Sequence, residues 1–88
     1  MLDALGDPTR RAIFERLGRG PTPVGQLANE PPVSRPAVSP HLARLKAAGL
    51  VVDRADGTRR VYRLNPDGIE AMREYFDRFW THALADFN

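Results

Sequence analysis

The chain has 88 residues, 42% hydrophobic and 27% charged, with a net charge of +2 and no cysteine. This length suits one domain spanning 1–88 with a modest core, and the composition is not that of a disordered chain. Without cysteine, thiolate catalysis, Cys-ligated zinc, iron–sulfur clusters, thiol redox sensing and disulfide stapling are excluded, so a partner subunit is an expected source of stability.

No run approaches the roughly 18–20 apolar residues of a membrane span, and residues 1–7 lack the basic and apolar regions of a secretory signal. The expected compartment is the cytoplasm, with no membrane partner. Charge is unevenly placed: residues 1–33 sum to zero, 34–64 to +5 and 65–88 to −3. Twelve of the thirteen basic residues are arginine, the side chain suited to phosphate and guanine.

The elements follow in chain order. Leu2 and Leu5 suggest a short turn packed on a first helix. Asp7-Pro8 opens that helix, with Asp as N-cap and Pro in the first helical position. Ile13, Phe14 and Leu17 follow at helical spacing, and Gly18 and Gly20 end it. Thr22-Pro23 repeats the start signal for a short helix over 23–29, stopped before Pro31-Pro32. Ser34 caps a third helix over 34–48, in which Val38, Leu42 and Leu45 form one apolar stripe and Gly49 is the stop.

Pro40 permits two readings of that third helix. Either it bends one continuous helix, or Ser39 is the true cap and Pro40 the first helical residue. The fit of Val38 to the stripe favours one slightly bent helix. Two strands follow, 50–54 and 59–64, joined at Asp56-Gly57. Asn65-Pro66 opens the last helix, whose Ile69, Met72, Phe76, Phe79 and Ala83 make a two-heptad seam broadened by Tyr75, Trp80 and Leu84. The predicted order is α-α-α-α-β-β-α: a mainly α fold with a small β-hairpin (α+β).

Two short helices with a tight turn (about 23–48) and a basic hairpin (about 50–64) make a winged helix-turn-helix. Its second helix is the element that enters the major groove of double-stranded DNA. Opposite the apolar stripe lie Pro36, Ala37, Pro40, Ala43, Arg44 and Ala47, with Ser39 and His41 on the shoulders. Small side chains let the backbone approach the bases, Ala37 and Pro40 suit thymine methyls, Arg44 suits guanine or phosphate, and Arg35 suits phosphate. His41 either donates to DNA or packs against the wing. Arg54, Arg59 and Arg60 either grip DNA or remain a solvated hairpin tip; the local +5 favours contact. Arg10 and Arg11 face either phosphate or water.

Residues 2–17 (Leu-Asp-Ala-Leu-Gly-Asp-Pro-Thr-Arg-Arg-Ala-Ile-Phe-Glu-Arg-Leu) resemble the opening of the ArsR/SmtB family of winged-helix repressors. Residues 34–51 resemble its recognition helix, with Ser39-Pro40-His41-Leu42 and Ala48-Gly49-Leu50-Val51. Gly57 and the Tyr62/Leu64 pair match its wing. The resemblance implies a homodimeric transcriptional repressor reading an inverted repeat. Dimerisation would use the first and last helices (about 2–18 and 66–86), through Leu2, Leu5, Ile69, Met72, Phe76, Phe79, Trp80 and Ala83.

This sequence departs from the metal-sensing pattern: it has no cysteine before the recognition helix and no Asp-x-His element in the last helix. His82 with Asp86 reads as an exposed polar pair rather than a metal site across a dyad. The resemblance is therefore to the cysteine-free branch without recognised metal ligands, with no cofactor expected and an inducer or partner protein unidentified. Glu70, Glu74 and Asp77 lie at helical spacing with no nucleophile nearby, and an enzyme is not expected. The alternative is a winged helix that docks another protein, with DNA binding incidental.

Overall fold

The structure, a computed structural model, describes residues 2–29 and 35–85, without the side chain of Arg35. A 3-10 turn at Asp3–Leu5 leads into helix α1 (Pro8–Leu17). Asp7 is extended at φ −84° and ψ 125°, and its Oδ1 accepts the backbone N–H of Arg10 at 2.9 Å, the N-cap expected from the sequence. That hydrogen bond holds the Asp7 carboxyl below the usual carboxylate range. A carboxylate with a depressed folded pKa stabilises the fold above its unfolded pKa of about 4 and ceases to as pH falls through the folded value. Asp7→Ala should therefore lower Tm by about 4–8 °C near neutral pH. The difference from wild type should shrink below about pH 4, which a pH series of thermal melts will show.

Thr22-Pro23 does precede a helix, with Pro23 in its N-cap position, but the pair itself forms a two-residue strand, β1 (Thr22–Pro23), pairing antiparallel with Tyr62 and Val61. Helix α2 is the single turn Val24–Leu27 rather than a helix over 23–29. The proline is tolerated because β1 is an edge strand. Thr22 is buried, yet its hydroxyl donates to the Gly20 carbonyl (3.0 Å) and accepts from Arg16 Nη1 (3.2 Å), so neither side of the hydroxyl is wasted.

Helix α3 (Arg35–Ala47) is continuous through Pro40, in agreement with the one-helix reading. The proposed Ser34 cap and the Pro31-Pro32 stop lie outside the described residues. The helix ends in a Schellman motif: Leu50 N–H donates to Leu45 O (3.0 Å), Gly49 N–H to Lys46 O (2.9 Å), and Gly49 has φ +78°. Strands β2 (Val51–Asp56) and β3 (Arg59–Leu64) pair from Val51↔Leu64 to Asp56↔Arg59. Gly57 alone of the two loop residues has positive φ (+64°), the pattern of a II′ turn. The hairpin is thus two strands of a three-stranded sheet in the order β1-β3-β2, and the short turn expected around Leu2 and Leu5 is the 3-10 turn Asp3–Leu5.

Ile13, Leu17, Leu27, Val38, Leu42, Leu45, Leu50 and Val51 are removed from solvent and form one core. Every member of the predicted α3 stripe lies in it. Helix α4 (Pro66–Ala85) runs 20 residues, about 30 Å, along a molecule 55 Å long. Asn65 anchors its start: Nδ2 donates to Gly49 O (2.9 Å), the backbone N–H donates to Leu50 O (2.9 Å), and Oδ1 accepts from Asp67 N–H (3.2 Å).

Candidate nucleic-acid interface

Burying Val38, Leu42 and Leu45 turns the opposite face of α3 outward. Pro36, Ser39, Pro40, Ala43, Arg44 and Ala47 are exposed, and Ala37 is half-buried. Six exposed positions over three turns present almost no side-chain bulk apart from Arg44, which lets the helix backbone approach closely whatever it faces. Arg35 opens the helix, and its side chain lies outside the described residues.

The two shoulders of α3 are held differently. His41 faces α1, not the wing. Its Nδ1 accepts from Arg10 Nε at 3.3 Å, its Nε2 lies 4.0 Å from Asp7 Oδ1, and only 17% of the side chain is exposed. Packing of α1 across α3 brings the capping carboxylate and the arginine three residues on to this imidazole. Arg10 also donates from Nη1 to Ala4 O (3.1 Å), and Arg11 from Nε to Leu5 O (3.1 Å). Both arginines therefore tie the 3-10 turn to α1. The neutrality of residues 1–33 was the available hint of such local use.

On the other shoulder, Lys46 meets the wing. Its Nζ is 2.7 Å from Asp53 Oδ1 on β2, while Arg60 Nε on β3 is 3.5 Å from Asp53 Oδ2. This three-residue cluster was not foreseen, because nothing in period or composition pairs position 46 with 53. Arg54, Arg59 and Arg60 are all exposed around the hairpin, with Arg59 Nη2 3.4 Å from Asp56. An open groove separates the wing tip from α2, lined by Val24, Gly25, Gln26, Thr58, Arg59 and Arg60.

The α4 seam divides in two. Ile69 and Met72 are half-buried, with Met72 packed on the core. Further along, Phe76 is exposed, Phe79 is 50% exposed and Trp80 57%, while Ala83 is half-buried. Tyr75–Phe76 and Phe79–Trp80 make edge-to-face ring pairs with centroids 5.6 and 5.5 Å apart. At the other end of the chain, Leu2 is exposed and Leu5 packs partly on the core. His82 is exposed on α4, and Asp86 lies outside the described residues. Among the described residues no three His, Asp or Glu side chains group as metal ligands, and no helix is long and apolar enough to cross a membrane.

Two successive short helices, the second with an outward face of small residues, and a basic hairpin beside it define a winged helix-turn-helix. The family described as a helix-turn-helix domain matches residues 5–54. The HTH-type transcriptional regulator Rv2034 of Mycobacterium tuberculosis is 62% identical over 84 residues, 96% of this chain and 78% of that protein. The transcriptional repressor SdpR of Bacillus subtilis is 39% identical over 79 residues, 85% of this chain and 88% of that protein. An ArsR-like transcriptional regulator from Rhodococcus sp. RHA1 superposes with a TM-score of 0.81 at 34% identity, covering 98% of this chain and 84% of that one. The chain belongs to the ArsR/SmtB family of winged helix-turn-helix transcriptional regulators, proteins that bind DNA.

Proposed function

We propose that the chain is a homodimeric repressor that binds an inverted-repeat operator and acts in the cytoplasm, with no catalytic role. The observation that carries this reading is the outward face of α3: small residues with Arg44 among them, flanked by the exposed wing arginines Arg54, Arg59 and Arg60. Pro36, Ala37, Ser39, Pro40 and Arg44 read the major groove, with Arg44 taking guanine or phosphate. Arg35, Arg54, Arg59 and Arg60 hold the sugar-phosphate backbone. His41, turned toward α1, offers DNA only its outer edge. Phe76, Phe79 and Trp80, with Leu2 and Ala83, form the contact between subunits, while Leu5, Ile69 and Met72 serve mainly the fold of their own chain. The signal that releases DNA is a ligand or a partner protein.

The experiment is a pair of variants measured on operator and on random duplex. Arg44→Ala should weaken operator binding about 10-fold and random-duplex binding much less. Arg60→Ala should weaken binding on every sequence and flatten log Kd against log salt by about one unit per subunit. Wild-type affinity in both variants overturns the assignment of this face.

A further inference from the structure

Three charged groups from three elements meet in the crevice between α3 and the wing: Lys46 near the end of the recognition helix, Asp53 on β2 and Arg60 on β3. The Asp53 carboxylate is only 11% exposed, whereas its two partners are more than half exposed. Donation by Lys46 holds that carboxyl below the usual carboxylate range, so it stays ionised at neutral pH. Its two oxygens are divided between the two DNA-directed elements: Oδ1 takes the helix and Oδ2 the wing. Asp56, the other acid on the hairpin, faces its strand partner Arg59 at the wing tip, a pair that joins β2 to β3 and does not reach α3.

We infer that Asp53 is a specificity-determining positioning residue: it fixes the wing against the recognition helix and occupies Lys46, so that bases and flanking backbone are engaged in one register. An unrestrained lysine is a sequence-blind phosphate binder, and an unrestrained wing accepts any backbone position. Held on Asp53 through Nε, Arg60 keeps its terminal amino groups for the backbone. The inference rests on the DNA-binding reading above.

The test uses the full chain and the duplex that wild type enriches from a random library, beside a random duplex of equal length. Asp53→Asn should bind random duplex about 3- to 10-fold more tightly, and the operator-to-random ratio should fall about 10-fold. Asp56→Asn removes the same charge without cutting the tie, and its ratio should stay within about 2-fold of wild type. Lys46→Gln cuts the tie from the other side: random-duplex affinity should fall, yet the ratio should fall as well. Asp53→Glu, which restores the charge, should recover at least part of the ratio. Thermal melts accompany each variant, and should Asp53→Asn not fold, Lys46→Gln decides alone. A ratio equal to that of Asp56→Asn in Asp53→Asn, or an unchanged ratio in Lys46→Gln, overturns the inference. Wild type that enriches no duplex overturns the DNA-binding reading itself, whereas enrichment with an unchanged ratio in the variants overturns only the role of Asp53.

Discussion

Phe79→Glu is expected to convert the protein to a folded monomer and to weaken operator binding by at least 100-fold, with a Tm that is lower than that of wild type and no longer rises with protein concentration. Phe79 is half exposed on α4 and belongs to no part of its own chain's core, so the carboxylate leaves the fold intact. Across a subunit contact the same carboxylate is buried against aromatic rings without a partner, which association does not tolerate. Tyr75, Phe76, Phe79 and Trp80 leave their aromatic surface exposed together on α4, an apolar patch of the kind that marks an interaction site. The loss in DNA affinity follows because a dimer delivers its second recognition helix at high effective concentration, and a monomer forfeits that second contact. Sedimentation velocity and a DNA titration on the same preparation check both parts. A monomeric variant with wild-type affinity would separate dimerisation from DNA binding and contradict the proposal.

Gly68→Ala should destabilise the fold by about 2–3 kcal/mol, lowering Tm by more than 10 °C. In an ordinary helix the same change is stabilising, because alanine orders more readily than glycine. Here a Cβ would overlap the carbonyl oxygen of Gly49 and lie 2.9 Å from its carbon and 3.4 Å from Leu50 Cα. These are backbone atoms of the Schellman turn that ends α3, and they cannot rotate aside as a side chain would. The first turn of α4 must then lift off, which also breaks the Asn65 Nδ2 hydrogen bond to the Gly49 carbonyl. Since α4 carries the aromatic face, its displacement also changes the angle at which a dimer presents its two α3 helices. An unchanged or raised Tm would show that the helix accommodates the methyl group elsewhere.

Local signals carried most of the fold. Asp7-Pro8, Gly49, Gly57 and Asn65-Pro66 each act within a few residues, through a cap, a left-handed stop, a tight turn and a helix start, and each element boundary sits where such a residue demands. The α3 stripe was legible for the same reason, since burial of Val38, Leu42 and Leu45 follows from a period alone. The small-residue face opposite was therefore legible too. Pro40 did not break the helix because it removes one backbone donor in a segment whose neighbours remain helical.

The features that stayed hidden depend on distant partners. Thr22-Pro23 does mark the start of α2, yet it also pairs with Tyr62 and Val61 some forty residues away, a strand that no local signal announces. His41 turned to α1 and Lys46 to the wing because of how neighbouring elements cross α3, which no periodicity encodes. Gly68, in the first turn of α4, gives no sign in the sequence of its role, which follows only from the α3–β2 turn packed against it.

The most direct measurement is a fluorescence-anisotropy titration of the full chain. It compares DNA from upstream of its own gene with a shuffled duplex of equal length, at two salt concentrations and with competitor DNA in excess. A sequence-specific regulator binds the upstream duplex tightly and the shuffled one weakly, and both affinities fall as salt rises. Equal, weak binding to the two duplexes would contradict specific recognition of that DNA and turn attention to a winged helix that docks a protein partner.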